Sequence, residues 1–348
     1  MKERVLHICP TYFSPNSVIA GAERYSYNLA KAMSRMTTTS LVTFGPKSFI
    51  HNDDALTIRC FKRWFYVDGN KANPFSLAYL KDLLAADVIH CHQFLTVTTD
   101  LAILTGLIFR KKVFVTDLGG GTGYSLSCHL PLWKGIRSLL LISEFNRSYF
   151  RKLPVSAKVI YGGVDAARFS PGAEDKKLSR IIHVGRILSF KGIHDIVDAL
   201  PENIGLDIVG QAYDEDYHRK LQERAQGKDV AFHTGLSDDQ VIAMYRRSIA
   251  TVLPATLDSG FTTVLESYAC GTPVIASAVG SLPEIVKNDV TGFLVPPNSP
   301  DAIREKLEFL LANPDVAMEM GKRGREEVLK RYTWDAVASR CLEAYGAN

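Results

Sequence analysis

Short apolar runs alternate with helix-period segments along nearly the whole of this 348-residue chain, and the alternation runs its course twice. Runs this short, bounded by Gly, Pro, Asn or Asp, read as buried strands joined by crossover helices. In the first half the expected strands are Val5 to Cys9, Ser40 to Phe44, Leu56 to Phe61, Val88 to His90, Lys112 to Thr116, Ser138 to Ile142 and Val159 to Ile160. Helices are expected from about Ala22, with Tyr25, Leu29 and Met33 inward, and over Phe75 to Leu84 and Thr98 to Phe109. The cadence restarts at Ile181 to Val184. It continues through strands at Leu206 to Val209, Val230 to Phe232, Ile249 to Leu253, Val274 to Ala276 and Phe293 to Val295. Helices are expected between them, one over Asp238 to Arg246 capped by Ser237, and the chain turns mostly helical after Pro300. Such a pattern folds as an α/β protein with two doubly wound, Rossmann-like domains, and a chain of this length can fill both cores. The junction is expected near Gly162-Gly163-Val-Asp165, giving domains 1–164 and 165–332.

Charge is unevenly shared between the halves. Residues 1–164 hold 20 Lys and Arg against 10 Asp and Glu, a net of +10, whereas 165–348 hold 21 against 27, a net of −6. A basic first domain suits an anionic surface, and Lys62-Arg63-Trp64-Phe65-Tyr66 mixes cations with aromatics as a lipid-interface contact does. The same clusters equally suit solvated helix ends. No apolar run reaches the length of a membrane span, and the N-terminus enters a strand without a secretory pattern. Six scattered cysteines fit reduced thiols, so the expected compartment is the cytosol, with a peripheral place on the membrane's inner face. There is no Walker motif, no Gly-x-Gly-x-x-Gly after the first strand and no Gly-x-Ser-x-Gly, which argues against P-loop ATPases, simple dehydrogenases and nucleophile-elbow hydrolases.

Candidate chemistry gathers at the ends of expected strands. After Ile249 to Leu253 comes Pro254, a loop with Asp258, Ser259 and Gly260, and a helix from about Thr262 to Cys270 stopped by Gly271. Val264, Leu265, Tyr268 and Ala269 belong to its core side, whereas Glu266 shares the stripe of Thr262 and Thr263. Unpaired amides at such a helix start attract phosphate, and the two carboxylates can take hydroxyls, an arrangement that suits a nucleotide diphosphate sugar. It also suits a plain helix behind an acidic loop. Gly185-Arg186 and Lys191-Gly192 share one strand-to-helix turn, where two cations can neutralise a diphosphate without a metal. Gly21-Ala-Glu-Arg24 opens the first helix, and Gly119, Gly120 and Gly121 begin a glycine loop that either admits a ligand or lies idle on the surface. His90 and His92 flank Cys91 at a strand end. No further ligand stands at zinc-like spacing, so they read as structural or substrate-side histidines, with no metal site.

These motifs resemble those of a family 4, GT-B-fold glycosyltransferase. The likeness rests on Gly21-Ala-Glu-Arg24, Val184-Gly-Arg186 with Lys191-Gly192, and the acid pair Asp258 and Glu266 running on into Ser-Tyr-Ala-Cys-Gly-Thr-Pro-Val-Ile-Ala. Val159-Ile-Tyr-Gly-Gly-Val-Asp165 with Phe169-Ser-Pro171, and Gly292-Phe-Leu-Val-Pro-Pro297, extend it over essentially the whole chain. The resemblance implies two Rossmann-like domains facing across a cleft, the last helix (333–348) packing back on the first. It implies a retaining transferase without cofactor or metal, moving a hexose or N-acetylhexosamine from a UDP- or GDP-sugar to a glycan or lipid-linked acceptor. Cell-surface polysaccharide or glycolipid synthesis would be its setting, with no nucleic-acid partner. Arg186 and Lys191 would hold the diphosphate and Glu266 the ribose. Gly21, Gly185, Ser259, Gly260, Phe261, Thr262 and Thr263 would bind the donor, and Gly119, Gly120, Gly121 and His92 would lie toward the acceptor. The chain departs from the pattern with Asp258 where Glu is usual, Gly162 where Asn is common, and Asp117-Leu118 where a histidine often stands, so either Asp117 takes over part of the sugar-contacting role or the chain does without it. Two other readings fit the departures: a non-catalytic nucleotide-sugar-binding protein, and a GT-B-fold sugar-nucleotide epimerase.

Overall fold

A computed structural model describes residues 3–11, 21–118, 124–172, 179–257 and 261–346. The chain divides into two compact units, Met1–Gly163 with Trp334–Asn348, and Val164–Thr333. Asp258, Ser259, Gly260, Gly119, Gly120 and Gly121 lie outside the described residues.

In the first unit β1 (Val5–Ile8) is followed by α1 (Gly21–Ser34), β2 (Thr39–Gly45), β3 (Phe49–Asp53) and β4 (Leu56–Lys62). A small hairpin of β5 (Phe65–Tyr66) and β6 (Pro74–Phe75) precedes α2 (Leu80–Ala85), β7 (Val88–Cys91), α3 (Val97–Phe109) and β8 (Lys112–Val115). The strands β9 (Ser138–Leu141) and β10 (Ala157–Val159), around the short α4 (Glu144–Arg147), complete an eight-stranded sheet of order β10-β9-β8-β7-β1-β2-β4-β3. All its pairs are parallel except the edge pair β3–β4. Leu6, Ile8, Ile89, Val113 and Leu139 face one core, closed by α2 and α3; Val5, Val88, Phe114 and Leu140 face the other, closed by α1 and the C-terminal helix.

Two expectations for this unit need correcting. The helix expected over Phe75 to Leu84 is confined to Leu80–Ala85, because Phe75 pairs with Phe65 and its carbonyl accepts from Trp64 N at 2.8 Å. Strand β3 was not expected from the pattern: Phe49 to Asp53 lies on a solvated edge and has no buried face to impose alternation.

The second unit runs β11 (Arg180–Val184), α5 (Ile193–Ala199), β12 (Gly205–Val209), α6 (Glu215–Arg224), β13 (Val230–His233), α7 (Asp238–Arg247) and β14 (Thr251–Leu253). Next come α8 (Thr262–Ala269), β15 (Val274–Ser277), α9 (Leu282–Ile285), β16 (Gly292–Val295), α10 (Pro300–Ala312) and α11 (Pro314–Arg331). Six strands in the order β13-β12-β11-β14-β15-β16 pair only in parallel. Ser237 caps α7 as expected, with Gln240 completing a reciprocal capping box. The final helix, α12 (Trp334–Tyr345), belongs to the first unit, where it packs on α1. All six cysteines are free thiols, in keeping with their scattered spacing.

Candidate active site

Strand order reverses in the second sheet between β11 and β14, and an open α/β sheet binds ligands at the carboxyl ends of its strands at such a point. Gly185 and Arg186 leave β11 there. The strand beside it must come close, since a Cβ on Gly210 would lie 1.8 Å from the Gly185 carbonyl oxygen. Arg186 is exposed, its guanidinium 5.8 Å from the centre of the Tyr213 ring. A 3-10 turn, Ser189–Lys191, then carries Lys191 Nζ over Phe190, and Gly192 closes it at φ 66°. Gly192 has two reasons to be glycine: that backbone region disfavours a side chain, and a Cβ would sit 2.1 Å from the Pro254 carbonyl oxygen. The lysine turn is thereby fastened to the loop after β14. Thr256 adds to this by donating from its N–H and its hydroxyl to the Phe190 carbonyl, at 2.8 and 3.2 Å.

Helix α8 completes the arrangement. It starts at the buried Phe261, whose own side chain makes no cap bond, directly after the loop that follows β14. Thr263 Oγ1 donates to the Val184 carbonyl at 3.4 Å, setting the first turn of α8 beside the exit of β11. Val264, Leu265, Tyr268 and Ala269 are buried as expected, while Thr262 is exposed and Thr263 and Glu266 are half-buried. The back of the helix is fixed by polar bonds, Thr251 Oγ1 to Ser267 Oγ at 2.7 Å and Ser267 Oγ to the Thr272 carbonyl at 2.9 Å. Against it α11 approaches through glycine, for a Cβ on Gly324 would meet Tyr268 Cδ1 at 2.5 Å. Gly185, Arg186, Lys191, Phe261, Thr262 and Thr263 therefore gather beyond the carboxyl ends of two central strands of one sheet.

Tyr245 is a partner of the candidate Glu266 that the sequence pattern did not reveal. Fully buried on α7, it donates its hydroxyl to Glu266 Oε2 at 3.2 Å. Burial pushes that phenol well above its ordinary pKa, and the neighbouring carboxylate adds to the shift, so it remains a donor. His183 is likewise unmarked by the pattern. Buried on β11, its Nδ1 lies 2.9 Å from the Val252 carbonyl and so carries the proton that bond needs. Neither had a local signal: both read as ordinary interior positions of a helix and a strand.

The first sheet reverses order between β1 and β7. Here the side chains are buried imidazoles. His92, just past β7, bonds through Nε2 to His7 Nδ1 on β1 at 2.8 Å, and His7 Nε2 lies 3.3 Å from Met33 Sδ. His90 is spanned by Thr116 Oγ1 at 2.8 Å and the Tyr345 hydroxyl at 2.7 Å. Burial lowers His7 to about 3 and His90 and His92 well below their usual range, so all three are neutral at pH 7. His90 and His92 thus have a third neighbour, His7, which spacing alone does not reveal. Asp117, half-buried past β8, accepts from Gln93 Nε2 at 3.1 Å. Gly21 opens α1 exposed, and a Cβ there would meet nothing within 4 Å among the described residues.

The family model described as glycosyl transferases group 1 matches residues 165–327, nearly the whole of the second unit. The second unit is a group 1 glycosyl transferase domain. An uncharacterized glycosyltransferase of Methanocaldococcus jannaschii is 26% identical over 74% of this chain and 75% of its own length. A glycogen synthase of Mycobacterium tuberculosis is 28% identical over 74% and 68%. Among solved structures, the sucrose-phosphate synthase of Thermosynechococcus elongatus superposes with a TM-score of 0.76 at 21% identity, covering 99% of this chain and 98% of that one. Anabaena HepE, solved with UDP and glucose, gives 0.76 at 16% identity over 99% and 100%. These likenesses extend through the first unit as well, so the group 1 transferase domain belongs to a GT-B fold of two Rossmann-like units, as the motifs led one to expect.

Proposed function

We propose that the chain is a retaining family 4 glycosyltransferase that moves a hexose or N-acetylhexosamine from a UDP- or GDP-sugar to a glycan or lipid-linked acceptor, without metal or cofactor. The observation that carries this reading is the meeting of Arg186, the Lys191 turn and the start of α8 at one switch point. Arg186 and Lys191 neutralise the diphosphate, the work a divalent cation does elsewhere, and the α8 amides take its distal oxygens. Glu266, steadied by Tyr245, accepts from the ribose hydroxyls. Asp258 takes sugar hydroxyls, with Ser259 and Gly260 beside it. The C1–O bond breaks with its electron pair passing to the diphosphate. The acceptor oxygen bonds to C1 from the same face, and its proton goes to the departing phosphate oxygen. Gly21, His92, Asp117 and the Gly119, Gly120, Gly121 loop serve the acceptor and sugar from the first unit.

HepE and the Mycobacterium tuberculosis GDP-mannose-dependent phosphatidylinositol monomannoside mannosyltransferase, 29% identical over 70% of this chain, support a nucleotide-sugar donor. The exposed Trp64 and Phe65, with Arg63 over the Tyr66 ring at 4.5 Å, support contact with an anionic membrane from the cytoplasmic side, in cell-surface glycan or glycolipid synthesis. No described helix is long and apolar enough to cross one. A thermal-shift panel of UDP-, GDP- and ADP-sugars, followed by transfer assays with the best ligand, tests the donor. Stabilisation by none of them overturns the reading. Isomerised donor without acceptor would make the chain an epimerase, and tight binding without sugar release a binding protein. Co-sedimentation with phosphatidylglycerol vesicles, lost in Trp64→Ser with Phe65→Ser, tests the membrane contact.

A further inference from the structure

We propose that the switch point of the first unit holds a hydroxyl subsite, in which His92 Nδ1 accepts a hydrogen bond from the bound molecule. His7 and Met33 fix the tautomer that leaves this lone pair bare. The inference rests on the acceptor-side reading above and adds to it a chemical class and a positioning pair.

The argument follows from which atoms can donate. A thioether sulfur only accepts, so His7 Nε2, 3.3 Å from Met33 Sδ, carries the proton. A neutral imidazole has one N–H, so His7 Nδ1 accepts, and its partner at 2.8 Å, His92 Nε2, donates. His92 is neutral too, which leaves Nδ1 with a lone pair. That atom is buried and has no hydrogen-bond partner among the described residues, an arrangement proteins rarely tolerate without a use. It lies just past β7, at the reversal of strand order where such sheets take ligands. A bare lone pair rejects phosphate and selects a neutral donor. A polyol hydroxyl, as on a glycan or inositol, fits.

The same geometry disfavours a metal. The 2.8 Å between His7 Nδ1 and His92 Nε2 is a hydrogen-bond span, shorter than two nitrogens that each stand about 2.0–2.1 Å from a tetrahedral zinc. His90 is engaged by Thr116 and Tyr345. Because burial holds His92 well below its ordinary pKa, it is a poor base at neutral pH and acts by orienting the ligand.

The test uses the full chain labelled with 15N in its histidines. At pH 7.5 the His92 spectrum should show Nε2 protonated and Nδ1 bare. The Nδ1 resonance should move on titration with myo-inositol or methyl α-D-glucopyranoside. His92→Asn, which puts an amide oxygen where Nδ1 stands, should keep polyol affinity within about 3-fold, whereas His92→Gln, which keeps only the distal position, should lose about 10- to 100-fold. A histidine that merely packs predicts the reverse, because His92→Gln preserves the bond to His7. His7→Leu should let the His92 tautomers mix and weaken polyol binding, and His7→Asn, which restores an acceptor for His92 Nε2, should rescue it. An Nδ1-protonated His92, or an Nδ1 resonance that both polyols and UDP-glucose leave unmoved, overturns the proposal. None of these readouts needs turnover, so a chain that binds polyol but transfers no sugar would separate this proposal from the transferase reading.

Discussion

The two units share a sheet topology and place opposite chemistry at its point of reversal. At β11/β14 stand an exposed guanidinium, an ammonium on a glycine-closed turn and the start of a helix. At β1/β7 stand buried, neutral imidazoles linked to one another, to a thioether and to hydroxyls. The first arrangement suits negative charge, because two cations and the positive end of a helix dipole stand together there. The second rejects charge of either sign and suits neutral hydroxyls, because desolvation penalises every ion brought there. Topology supplies the location, and side-chain charge decides what is held.

The sharpest way to break this contrast is to remove one cation. Lys191→Ala should lower turnover by about 10²- to 10³-fold, the loss seen for one key electrostatic donor, with the protein's melting temperature little changed. Wild-type turnover in a steady-state assay would remove the charge argument for the second unit. The next largest effect is structural. Gly192→Ala puts a Cβ 2.1 Å from the Pro254 carbonyl in a backbone region that costs a non-glycine residue energy. It should destabilise the protein by about 1–3 kcal/mol in a urea melt, in the range of overpacking, and should lower donor affinity with it. A melt like that of the wild-type would mean that the turn carrying Lys191 is not held as described.

Much of this was legible in the sequence because the signals were local. Strand runs, the glycines of the Arg186–Gly192 turn and the burial stripe of α8 are all set within a few residues of one another, and the structure bears them out. Legibility failed where partners lie far apart. His7 is one polar residue inside the apolar run Val5 to Cys9, and its meaning comes from His92, 85 positions away. Tyr245 is read as core until Glu266, 21 positions on, is brought to its hydroxyl. Phe75 looked helical because a two-residue strand pairing with Phe65 and Tyr66 leaves no period to detect. Asp258 and the glycine loop at 119–121 were legible as motifs, and they lie outside the described residues.

Acidification sharpens the contrast from the other side. His7 titrates at about 3 in the folded chain and near roughly 6.5 when unfolded, so below pH 6.5 the unfolded state binds the proton first. The stability its burial contributes is complete above that pH and is lost as pH falls toward 3, at up to about 1.4 kcal/mol per pH unit for this one histidine. His90 and His92 are shifted in the same direction and add to the loss. Urea melts at pH 7.5 and 5.5, repeated on His7→Asn, should show a smaller acid penalty in the variant. An equal penalty would mean that the His7 imidazole is not held neutral.

The smallest expected effect asks whether Glu266 acts as a prepared acceptor or as an ordinary surface acid. Tyr245→Phe removes only an oxygen, leaves the ring in its buried place and strips Glu266 of the 3.2 Å bond that orients it. If the carboxylate takes ribose hydroxyls, that orientation matters for donor binding in ground and transition state alike. KM for the nucleotide sugar should then rise about 3- to 10-fold, on the order of one net hydrogen bond, with kcat nearly unchanged. A deoxyribose donor should be weakened less by the substitution, since it presents Glu266 with one hydroxyl fewer. Equal losses for both donors would place Glu266 away from the ribose, and the charged edge would then read the diphosphate alone.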